Sequence, residues 1–213
     1  TAAGKWQKKL EELLGMNVAT HAKGGIGILR MTDGDNGLDG TYNAETDKNG
    51  VLRPLMAADV EGVSLIVVLP AYNERATVLG SVGDCHPEQE TICGRIQYLL
   101  NRIYEELEDA GNLLCHVLVA TPHCAGKYPY VDADGYEEYP TGTGQTMEKL
   151  SDTIKAVAQA NNVAVCDLWH ESGINRRTWS VFGEQKNAVN EQYAKYQMDA
   201  SGRVVGSAPQ RYV

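Results

Sequence analysis

The sequence predicts an α/β fold, a parallel sheet covered by helices. Three observations carry that expectation. The run Val63-Ser-Leu-Ile-Val-Val-Leu-Pro70 has six apolar residues among its first seven, continuous rather than alternating, as a strand buried on both faces requires. Two further apolar runs, 113–120 and 163–168, each follow a segment of helical periodicity. Strands that alternate with helices imply parallel pairing through right-handed crossovers.

Taken in order, residues 3–14 read as a helix, because Trp6, Leu10, Leu13 and Leu14 fall at i, i+4, i+7 and i+8 and make one apolar stripe. Gly15 is a stop. Asn17 to His21 is a short strand candidate, followed by Lys23-Gly24-Gly25-Ile26-Gly27, a loop that lets backbone approach another group closely. Residues 32–50 are rich in Gly, Asp, Asn and Thr and predict a long excursion. Asp33, Asp35 and Asp39 within it do not have the EF-hand spacing, so a solvated acidic loop is expected. The central strand ends at Pro70, which cannot donate to a ladder. Ala71-Tyr72-Asn73-Glu74-Arg75 then lies past its carboxyl end, the edge at which open α/β sheets place their chemistry.

Residues 91–110 form the clearest helix, with Ile92, Ile96, Leu99, Leu100, Ile103 and Leu107 on one face and Gly111 beyond the end. Leu113 to Ala120 is the next strand, ending in Thr121-Pro122-His123. Thr146 to Ala160 is a helix with Met147, Leu150, Ile154, Val157 and Ala158 on one side. Val163 to Leu168 is a fourth strand, and a short helical stretch is expected around Trp169–Phe182. The pattern fades from Gly183 onward.

Composition limits the function classes. With 213 residues and 43% hydrophobic content the chain is read as one domain over 1–213. A formal net charge of −9 argues against nucleic acid as a partner, since phosphate binding wants a basic face. No apolar run approaches the roughly 20 residues of a membrane span. Five cysteines occur without a Cys-x-x-Cys pair, so neither a zinc knuckle nor a thioredoxin motif is supported. Cys115 and Cys166 read as plain buried thiols.

Several blocks, in order, carry a resemblance. Thr1-Ala2-Ala3-Gly4-Lys5-Trp6 looks like a segment placed just after a nucleophilic serine, Gly24-Gly25 falls at a glycine loop after the Asn17–His21 strand candidate, and Ala71-Tyr72-Asn73-Glu74 falls after the central strand. Thr121-Pro122 ends the Leu113–Ala120 strand, and Asp167-Leu168 with Ser172-Gly173-Ile174-Asn175 comes at and beyond the end of the last strand. Together they resemble an SGNH (GDSL-type) hydrolase over nearly the whole chain. The resemblance implies a three-layer α/β/α sandwich with a flavodoxin-like parallel sheet. It also implies serine acyl transfer, in which a serine attacks an ester carbonyl and a histidine takes its proton. The backbone N–H of Gly25 and the side-chain amide of Asn73 match the oxyanion hole, and Tyr72 and His123 are assigned to substrate binding. An O-acetylated carbohydrate or other small ester is the implied substrate, with no metal and no organic cofactor.

The nucleophile block, Gly-Asp-Ser, and the acid–base block, Asp-x-x-His, are expected outside the 213 residues. The sequence is accordingly read as an internal piece of a longer chain, with oligomeric state open and the compartment left between cytoplasm and a larger extracellular or phage assembly. Two alternatives stand beside the esterase. One is a non-catalytic SGNH-like binding module in a larger assembly. The other is a GT-A type glycosyltransferase, since Val63 to Arg75 also resembles the opening of family 2 enzymes and Asp132-Ala133-Asp134 reads as a metal-binding Asp-x-Asp. Gly24-Gly25-Ile26-Gly27 does not complete the dinucleotide fingerprint. Of the histidines, His21 lies near the glycine loop, whereas His123 and His170 lie at strand ends.

Overall fold

A computed structural model describes residues 4–22, 26–34, 52–70, 77–84, 90–123 and 147–174. Its elements run α1 (Gly4–Leu14), α2 (Arg30–Asp33), α3 (Ala57–Val60), β1 (Leu65–Val68), α4 (Ile92–Asp109), β2 (His116–Ala120), α5 (Met147–Ala160), β3 (Ala164–Cys166) and α6 (Leu168–Glu171). A turn of 3₁₀ helix, Val82–Asp84, precedes α4.

The three strands form one parallel sheet in the order β1-β2-β3. Ile66 lies opposite Val117, Val68 opposite Val119, and Val119 opposite Val165. Alternation puts these residues on one face of the pleat, where they join a single buried cluster with both long helices. Helix α4 contributes Ile92, Ile96, Leu99, Leu100, Ile103 and Leu107, and α5 contributes Met147, Leu150, Ile154, Val157 and Ala158. These are the stripes the periodicity predicts. The reason is geometric: residues three and four apart share a helix face. The helices pack on each other, and Gln97 and Asn161 tie them by exchanging amide hydrogen bonds at 2.9 and 2.8 Å.

The ends of α4 follow its sequence. Thr91 caps the start, its Oγ1 accepting from the Gly94 N–H at 3.0 Å. At the other end Gly111 takes φ 65 and ends the helix. Asn112 then donates from its side chain to the carbonyls of Val60 and Val63, at 2.6 and 2.9 Å. That ties the entry to β2 to the entry to β1.

Several expectations are corrected. Asn17 to His21 is not a strand; residues 15–22 make no ladder, and Val18 N–H instead donates to the Glu11 carboxylate at 2.9 Å. The second strand begins at His116, because Leu113 and Leu114 sit in a turn, 73% and 91% exposed. Strand β1 is where the apolar run places it. Yet Leu65, Ile66 and Val67 are half-buried and only Val68 is fully buried, because among the described residues β1 has a single strand partner. Asp33 is not on a solvated loop: it ends α2, and both its oxygens accept from the Tyr98 hydroxyl at 3.0 Å. Behind it Gly34 takes φ 78, where a Cβ would meet the Leu52 carbonyl oxygen at 2.6 Å, so glycine alone fits. The short helix after β3 covers Leu168–Glu171, and the rest of the stretch expected to reach Phe182 lies outside the described residues from 175 onward. An α/β fold with a parallel sheet is therefore observed. A third layer is not established by these residues.

Candidate functional site

Parallel strands end together, so the segments after β1, β2 and β3 meet at one edge of the sheet. After β1 come Leu69 and buried Pro70. After β2 come Thr121, Pro122 and His123, of which Thr121 and Pro122 are buried and His123 is half-buried. After β3 come Asp167 and α6.

Asp167 is the centre of this edge. It is 5% exposed, and a carboxylate so buried must be paired with donors. Four are present. Lys155 Nζ, on α5, donates to Oδ2 at 2.7 Å. Thr121 Oγ1 donates to Oδ1 at 3.3 Å. The His170 backbone N–H donates to Oδ1 at 3.2 Å, the N-cap bond of α6. The His170 ring places Nδ1 at 3.0 Å from both oxygens. Burial by itself would raise the Asp167 pKa. The bonds from Lys155 and His170 outweigh it and hold the carboxyl down to about 2. The same contact raises the Lys155 pKa.

An ionised carboxylate only accepts, so Nδ1 carries the proton and the neutral ring has its lone pair on Nε2. Nε2 lies 3.8 Å from Glu148 Oε1 and 3.8 Å from Asp152 Oδ1, beyond hydrogen-bond length. Glu148, Asp152 and Lys155 stand at i, i+4 and i+7 on one side of α5. Thr121 Oγ1 also accepts from the Trp169 N–H at 3.0 Å, so β2, β3, α5 and α6 are all tied at this carboxylate. Chemically, the arrangement orients an imidazole with a buried acid behind it and, among the described residues, a nitrogen with no hydrogen-bond partner in front, as a general base requires.

The expectation that an Asp-x-x-His pair lies outside these 213 residues needs correction: Asp167-Leu168-Trp169-His170 has that spacing and forms the contact. The signal lay in the spacing itself, directly after the last strand. Asp167 also caps the start of α6. Of the residues assigned from sequence, Gly25, Tyr72 and Asn73 lie outside the described residues, as do Asp132 and Asp134. His123 is at the expected strand end, two residues beyond Thr121. Among the described residues, no group of three His, Cys, Asp or Glu is placed to hold a metal ion, and no helix is long and apolar enough to cross a membrane.

His21, just before the glycine loop, sits beside the Arg53–Asp59 ion pair. Burial lowers its pKa against the pull of Asp59, and among the described residues its buried Nε2 has no hydrogen-bond partner.

No family profile matches the chain, and no curated protein matches it. Some solved structures are similar in fold. One crystal structure superposes with a TM-score of 0.52 at 20% identity, over 79% of this chain and 68% of the other. A possible lipase from Chitinophaga pinensis gives a TM-score of 0.46 at 15% identity, over 74% of this chain and 72% of its own. A Lactobacillus plantarum protein gives 0.42 at 19% identity, over 71% and 65%. The first likeness speaks for the fold alone, and the other two are too distant to carry weight.

Proposed function

We propose that the protein is an ester hydrolase of the serine acyl-transfer type, built on a three-layer α/β/α sandwich of the SGNH kind. The observation that carries this reading is the Asp167–His170 pair. A buried, ionised acid grips Nδ1 of a histidine at the carboxyl edge of a parallel sheet. In the proposed reaction His170 Nε2 takes the proton of a serine hydroxyl as the oxygen bonds to the ester carbonyl carbon, then returns it to the departing alcohol. Water repeats the cycle on the acyl-enzyme and releases the acid. The serine is expected outside the described residues. The Gly25 N–H and the Asn73 amide stabilise the oxyanion, with Tyr72 and His123 contacting substrate. An O-acylated carbohydrate or a small ester is the substrate class, on the strength of the sequence resemblance.

The test uses the full-length protein with p-nitrophenyl acetate, together with fluorophosphonate labelling read by intact mass. Turnover and a single adduct are expected. Asn73→Ala should lower kcat by about 10²–10³-fold with little change in KM, and His170→Ala by about 10²–10⁴-fold. Unchanged turnover in either variant removes that residue from the site.

A second reading is a non-catalytic binding module of the same fold. It is favoured by one observation: Nε2 faces two carboxylates, and among the described residues no hydroxyl hydrogen-bonds to it. A folded protein with neither turnover nor adduct would support this reading over the first.

A further inference from the structure

We infer that Lys155 is a positioning residue for His170, acting through Asp167; this rests on His170 being the base of the proposed reaction. The two carboxylate oxygens of Asp167 are held by different donors. Oδ1 is held by the Thr121 hydroxyl and by the His170 backbone N–H. Among the described residues Oδ2 has a single non-histidine donor, Lys155 Nζ at 2.7 Å. The His170 ring holds Nδ1 at 3.0 Å from both oxygens, so the position of Nδ1 follows the carboxylate. Without Lys155, Oδ2 keeps only its contact with the His170 ring among the described residues, and the carboxylate can turn and carry Nδ1 with it.

Charge gives Lys155 a second task. The groups that face the imidazole are Asp167 at Nδ1, from the end of β3, and Glu148 and Asp152 at Nε2, from α5. Glu171 follows it on α6 and, with Asp152, adds to the negative field at Lys155. Lys155 is a cation in direct contact with Asp167. It offsets the carboxylates that face the imidazole, so removing its charge should favour the imidazolium. Because Lys155 sits on α5 and Asp167 after β3, the packing of one helix against the sheet edge sets the orientation of the base.

The experiment is an NMR titration of the His170 imidazole in the full-length protein, alongside the pH profile of kcat/KM. In Lys155→Met the His170 midpoint should rise, because a nearby cation is lost, its Nδ1–H signal should broaden through faster exchange, and the acid limb of the profile should move up with the midpoint. Lys155→Arg, which keeps charge and donor, should restore all three. If the Met variant does not fold, Lys155→Gln keeps a donor without charge and carries the same expected rise. An unmoved midpoint with an unchanged Nδ1–H signal in the Met or Gln variant overturns the inference. The NMR readout does not depend on turnover, so a failure of the hydrolase reading would show in the p-nitrophenyl acetate assay while the coupling is judged on the titration.

Discussion

At the scale of single residues, Asp167 links stability to pH. Its ordinary value is 3.8 and its folded value is about 2. A carboxyl with a lower pKa in the folded state favours folding above its unfolded value and loses that contribution as pH falls through the folded one. The stabilisation is roughly 2 kcal/mol, complete above about pH 5 and lost toward pH 2. Asp59 has the same sign, held low by Arg53 against burial. Asp33 has the opposite sign: burial raises its pKa, so it favours folding at low pH and loses that effect as pH rises through its folded value. The clean measurement is therefore a difference. The gap in unfolding free energy between wild type and Asp167→Asn should be widest near neutral pH and shrink as pH is lowered toward 2; a gap that does not change with pH would count against the ionised, paired carboxylate. In the sequence Asp167 is legible as a cap, because an Asp between a strand and a short helix has a local reason to be there. Its partners Lys155 and Thr121 lie 12 and 46 residues away, and nothing local links them to it.

Among the elements, α4 and α5 were the most legible, since amphipathic periodicity over 18 and 14 residues leaves little room for another structure. Leu150 lies at the centre of the α5 stripe and is fully buried. Leu150→Ala should cost roughly 2–5 kcal/mol through lost burial and a cavity between α5 and its neighbours, read as a lower urea midpoint at unchanged slope. Short elements were less legible. The four-residue helices α2 and α3 are too short for a period to show, and α3 depends on Asp59, which accepts from the Met56 N–H at 3.0 Å and pairs with Arg53. Asn17 to His21 has the composition of a strand but pairs with no strand, and pairing is what makes a strand. Leu113 and Leu114 extend an apolar run but precede the ladder, whose start is set by Asn112 bridging to Val60 and Val63.

For the whole molecule, strand order decides what the site can be. With β1, β2 and β3 in sequential order, right-handed crossovers put α4 and α5 on the same face, and the shared core results. Strand β2 pairs on both sides and carries buried Val117 and Val119. Its amides should exchange as slowly as global unfolding allows, and those of α6 faster by local opening; hydrogen exchange in which β2 and α6 opened alike would contradict this layering. The sequence by itself determined the α/β class, the two long helices, the positions of three strands and the cap at Asp167, because each rests on contacts within a few residues or on a repeating period. It did not reveal that Lys155, Thr121, Asp167 and His170 form one cluster, nor that His170 turns Nε2 toward Glu148 and Asp152. Those facts depend on α5 lying beside β3 and on β2 ending level with it. Register and packing bring together residues that have no local reason to meet.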